Sequence, residues 1–151
     1  MATKIKIQFM SDAGLVSDTP GGSPVIAINM QPAAPENFHS PAVGSTPVIV
    51  YALIDTGADR FYMDEGLANA FSYHRAATIN VRGGTGTLAS QERPSIFSID
   101  GHPEHYAASF VSTPLSANGR TYQAVLGLEF LKQGALVMDF NEGVFEFTLG
   151  S

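Results

Sequence analysis

The chain has 151 residues, 44% apolar and 15% charged, with fourteen Asp and Glu against eight Lys and Arg for a net charge of −6. That balance excludes a solvated disordered chain, and a net negative surface repels phosphate backbones, so nucleic acid is not an expected partner. No cysteine is present, which removes disulfides, thiol nucleophiles and thiolate zinc sites. No apolar run is long enough to span a bilayer, so no membrane partner is expected either.

Fifteen glycines, nine prolines and ten phenylalanines favour short strands joined by turns, and the length fits a single domain over 1–151. Lys4 to Phe9 alternates at period two, with Ile5, Ile7 and Phe9 on one face, and predicts a strand. Because this N-terminus lacks the apolar core of a signal peptide, a cytoplasmic setting is expected. Ser11 to Ser23 is rich in turn residues, and Val25 to Asn29 predicts a second short strand. Residues 31–47 carry four prolines without periodicity and read as a surface insertion.

Val48 to Ile54 is an almost continuous apolar run, as in a fully buried strand, so Asp55 emerges at the edge of a core. Asp64 stands at an N-cap position before a short helix over 65–71, with Leu67, Ala70 and Phe71 inward. Thr78 to Arg82 and Leu88 to Ile99 predict two strands around Gly83, Gly84, Thr85, Gly86 and Thr87, whose three glycines permit a flexible hairpin tip. Asp100-Gly101 and Asn118-Gly119 suit tight turns and bracket a strand over Tyr106 to Val111. Tyr122 to Leu126 predicts a strand, residues 127–133 one or two helical turns capped by Gly134, and residues 135–149 a terminal hairpin.

Chemistry concentrates in Ala52-Leu53-Ile54-Asp55-Thr56-Gly57-Ala58-Asp59, an acid delivered by an apolar strand into a tight turn, present once. Alone, Asp-x-Gly is ordinary turn chemistry, with the carboxylate capping the glycine. His102-Pro103-Glu104-His105 offers two imidazoles and a carboxylate, but Pro103 prevents the helical placement a zinc site of that spacing needs, and no metal is expected there.

Three segments together resemble the retropepsin-like aspartic proteases, the retroviral enzymes and their cellular and bacterial relatives. Residues 52–59 match the family's apolar-apolar-Asp-Thr-Gly-Ala-Asp signature, the glycine-rich hairpin over 82–87 stands where the family keeps its flap, and Ala124 to Leu131 is similar to the segment opening its C-terminal helix. The resemblance implies a mostly β, closed barrel-like subunit with a flap hairpin and a short C-terminal helix, acting as a homodimer without cofactor or metal. It implies interleaving of the terminal strands of two copies. Asp55, Thr56 and Gly57 would be catalytic, and Ala58, Asp59, Gly83, Gly84, Thr85 and Gly86 would bind substrate.

The chain departs from the retroviral pattern at Leu128, where those enzymes carry an Arg that pairs with the second Asp of the signature. Arg60 and Arg82 are then the candidates to pair with Asp59. Carboxylate-driven peptide hydrolysis needs two acids sharing one proton, and a symmetric homodimer would set Asp55 beside its twin. The expected activity is that of an aspartic endopeptidase on a peptide or protein. The alternative is a catalytically silent dimer of the same fold that binds a peptide or protein partner.

Overall fold

The computed structural model describes residues 2–83 and 86–150, with the backbone alone for 81–83 and 86–88. Strand accounts for 53% of the chain and helix for 9%, as the composition predicts. In chain order the strands are β1 (Thr3–Lys6), β2 (Gln8–Met10), β3 (Val16–Ser17), β4 (Ser23–Ala34), β5 (Asn37–Pro41), β6 (Val48–Ile54) and β7 (Phe61–Asp64). They continue as β8 (Thr78–Gly83), β9 (Gly86–Ile99), β10 (His105–Thr113), β11 (Ala124–Leu126), β12 (Gly134–Asp139) and β13 (Val144–Leu149). Helix α1 (Glu65–Ala70), a 3-10 turn at Ser116–Asn118 and helix α2 (Leu128–Leu131) complete the described chain.

Strands β4, β6, β11, β7, β10 and β9 lie side by side, and pairing of β9 back onto β4 closes them into a six-stranded barrel. Closure depends on two long strands. β4 pairs with β2 at Ser23–Val25, with β6 at Val25–Met30 and with β9 at Ile28–Pro32. β9 pairs with β8 up to Gln91, and then with β10 over Glu92–Ser98.

The segment expected as a surface insertion therefore divides. Gln31, Pro32, Ala33 and Ala34 are the buried end of β4, whereas 35–47 forms β5 and an exposed turn. The prolines hid this strand end, because a proline ordinarily argues against a strand interior. Pro32 is tolerated as the last residue paired to β9, where its carbonyl still accepts from Ala42 N–H.

β6 spans the predicted residues, but only Val50, Ala52 and Ile54 are buried, and Ile49 is 57% exposed. The strand thus has one core face, unlike the fully buried strand expected from the apolar run. Its inward residues join Phe61, Phe97, Phe110 and Phe130 in the barrel core. Phe61 and Phe110 rings stand 5.0 Å apart and Phe97 and Phe110 rings 5.6 Å apart, within the range in which aromatic pairs add to area burial.

The predicted N-terminal strand is interrupted at Ile7, whose N–H donates to Phe145 O at 3.1 Å. β1 before the break pairs with β13, and β2 after it joins the barrel through β4. Ile5, Ile7 and Phe9 are buried as the alternation predicts. β1, β13 and β12 form a separate three-stranded sheet in that order, joined to the barrel core by the mutually tilted rings of Phe130 and Phe147, 5.1 Å apart. The terminal strands expected to interleave between two copies are paired with each other inside one chain, from Thr3↔Leu149 to Lys6↔Glu146.

Three local expectations are corrected. α1 buries Leu67 and Ala68, while Ala70 is exposed and Phe71 is 45% exposed. Asn118-Gly119 closes a 3-10 turn, with Gly119 left-handed at φ 81, and makes no hairpin. Gly134 begins β12, and Lys132 caps α2.

Candidate active site

β11 lies between β6 and β7, parallel to the first and antiparallel to the second. The chain leaving β6 must therefore cross over the end of β11 to reach β7, and residues 55–60 make that crossing. Asp55 is fixed at its start, where its N–H donates to Leu126 O at 3.2 Å. Its carboxylate Oδ1 accepts the Gly57 N–H at 2.8 Å, and its carbonyl accepts the Ala58 N–H at 3.2 Å. The carboxylate is thereby oriented by its own turn. Asp55 is half-buried while Thr56 and Gly57 are exposed, so the acid stands at the surface beside open backbone.

The crossing loop is stitched to the chain leaving β11. Gly127 N–H donates to Arg60 O at 3.2 Å, Leu128 N–H to Ala58 O at 2.8 Å and Glu129 N–H to Asp59 O at 2.9 Å. Gly127 has φ −92 and ψ −162, a conformation open to any residue, so its backbone does not require glycine. Space does. A Cβ there would collide with Ala58 O and lie 2.8 Å from Ala58 C. Sequence reasoning counted 124–131 as one matching segment but did not single out Gly127. Its signal was a glycine directly after the short buried strand.

Asp55, Thr56, Gly57, Ala58 and Asp59 are thus brought into one turn. Gly83 and Gly86 face each other across the β8–β9 hairpin, whereas Gly84 and Thr85 lie outside the described residues. The hairpin strand β9 reaches the turn through Glu92, whose carboxylate stands 3.4 Å from Arg60 Nη1. Arg60, one of the two candidates to pair with Asp59, is therefore engaged by Glu92, and the Arg82 side chain lies outside those described.

Two further residues stand at this edge, Tyr62 without a sequence signal and Asp64 with a signal for another role. The Tyr62 phenol is pushed above its ordinary pKa by burial first and then by the negative charge of Asp59, with a smaller contribution from Asp55; Arg60 opposes. Asp64, expected to cap α1, makes no cap bond. Its buried carboxylate accepts the Ser116 N–H at 3.0 Å and the Ser116 hydroxyl at 3.1 Å, tying β7 to the 3-10 turn.

A closed barrel with an acid-bearing turn crossing an inserted strand is the arrangement of the retropepsin-like acid-protease fold, and this chain has that fold. It is similar to a retropepsin-like aspartic protease from Rickettsia conorii, at 14% identity and a TM-score of 0.53, covering 99% of this chain and 90% of that one. EIAV protease complexed with the inhibitor HBY-793 is also similar, at 16% identity and a TM-score of 0.46, covering 77% of this chain and 93% of that one. No protein-family model and no curated protein sequence matches the chain.

Proposed function

We propose that this protein is an aspartic endopeptidase whose site is completed by a second copy of the chain, one Asp55 coming from each. The observation that carries the reading is the single Asp55 carboxylate, held by Gly57 N–H at the lip of a turn whose neighbours Thr56 and Gly57 are exposed. One carboxylate can orient a water but cannot also donate a proton to the carbonyl oxygen. Two acids across a two-fold axis can, because like charges at close range hold a single shared proton between them. In this arrangement one Asp55 acts as base toward water, the other as acid toward the scissile carbonyl. Thr56 braces the paired turns, and Asp59 with the hairpin glycines Gly83 to Gly86 receives an extended peptide by strand-like hydrogen bonds.

Cleavage of a diverse peptide library by concentrated protein, from acidic to neutral pH, tests the reading. Activity is expected to fall faster than linearly on dilution, as a two-copy site requires, and to vanish in Asp55→Asn with the fold intact. Cleavage that survives Asp55→Asn refutes the assignment. Absent cleavage together with retained peptide binding in both proteins would instead establish the silent binding module.

A further inference from the structure

A cavity of about 370 Å³ opens beside α1, β9 and the end of β10, lined in part by Glu65, Arg75, Ser90, Arg93 and Ser112. Arg93 is only 3% exposed. Its Nη1 donates to Tyr73 O at 2.8 Å and its Nη2 to Asn69 Oδ1 at 2.9 Å, and its Nε has no partner among the described residues. Arg75 Nη2 reaches the same Asn69 oxygen at 3.5 Å. Two guanidiniums thus converge on one neutral acceptor.

A buried guanidinium is ordinarily matched by a carboxylate, since an unpaired buried charge carries a large desolvation cost. Neither Arg75 nor Arg93 has a carboxylate within ion-pair distance among the described residues. Glu65, the one acid on the wall, is exposed and pairs with neither. Burial first, and then the positive charge of Arg75, push the Arg93 guanidinium below its ordinary value, with Glu65 opposing. The pocket carries two fixed positive charges against one negative, flanked by the buried hydroxyls of Ser90 and Ser112.

We propose that this cavity binds a small dianionic oxyanion of the phosphate class, held by Arg75 and Arg93 with Ser90 as a hydroxyl donor. A tetrahedral dianion suits two planar guanidiniums that converge on one point, and the cavity is roomy enough for the ion with bridging water. Bound there, it ties α1 and the 73–77 segment to the base of the β8–β9 hairpin.

The test uses the full chain and inorganic phosphate as the probe. The Arg93 Nε–H signal in proton–nitrogen spectra should shift saturably with phosphate, and Tm should rise by about 5–10 °C once phosphate exceeds Kd about 100-fold. Arg75→Gln, at an exposed position that leaves the core untouched, should weaken affinity at least about tenfold, and Glu65→Gln should tighten it. An equal response to sodium chloride or acetate at matched ionic strength overturns the proposal. So does wild-type affinity in Arg75→Gln.

Discussion

Replacing Gly127 by alanine tests the claim that close packing of two backbones fixes the acidic turn. The added Cβ collides with Ala58 O and lies 2.8 Å from Ala58 C, and both are main-chain atoms that no side-chain rotation can move aside. Overpacking of this kind costs about 1–3 kcal/mol. Relief by shifting the loop strains or breaks the hydrogen bonds from Gly127 N–H to Arg60 O and from Leu128 N–H to Ala58 O, each contributing about 1 kcal/mol. The sum is about 4 kcal/mol, a large share of the roughly 5–15 kcal/mol that holds a domain folded. Urea denaturation should show a lower midpoint at unchanged slope, and Tm should fall by roughly 8–16 °C. If cleavage is present in the parent, it should fall further than the loss of folded protein explains, because the displaced loop carries Asp55. A change below about 1 kcal/mol would refute the reasoning, since the loop would then yield freely.

Asp64→Ala should cost about 2–3 kcal/mol by leaving the Ser116 donors without their charged acceptor, and Asp64→Asn should recover part of that loss; equal denaturation midpoints for the two variants would contradict it. Phe130→Ala should cost about 3–5 kcal/mol, because the ring contacts Phe61, Phe97 and Phe147 and joins the terminal sheet to the barrel; calorimetry would read it. Burial pushes the Tyr73 phenol above its ordinary value of 10.0. The stability this contributes is fully present below pH 10 and is lost as pH rises, since the unfolded chain ionises first. Tyr73→Phe should accordingly flatten the alkaline fall in denaturation midpoint, and an unaltered fall would place its origin elsewhere.

The sequence was most legible where local chemistry and burial agree. The bounds of the Val48–Ile54 strand, the Asp55 turn and the alternation of Ile5, Ile7 and Phe9 each lie where the sequence predicts, although the apolar run of the first overstated its burial. Legibility failed where long-range pairing decides. Nothing local in Gln31 and Pro32 announces that β9 will pair with them, and the proline argues the other way. Asp64 has the residue type and position of a helix cap, yet Ser116, fifty-two positions away, takes its carboxylate. Gly127 looks like any helix-opening glycine until the crossing loop is laid over it.

The terminal sheet constrains how two copies would meet. With β1 and β13 paired inside one chain and β12 on the other side of β13, the sheet offers only its outer edges to a partner, and interleaved termini would require β1 to leave β13. Exchange of β1 between two copies would re-form the same four pairings, Thr3↔Leu149 to Lys6↔Glu146, across the interface. A dimer that joins the two Asp55 turns would also press together the surface around them, where Thr56 and Gly57 are exposed and Leu128 is 44% exposed. Leu128→Arg should weaken association by burying a charge at an apolar contact, read as a rise in the dimer dissociation constant by sedimentation. Undiminished association in that variant would move the interface elsewhere.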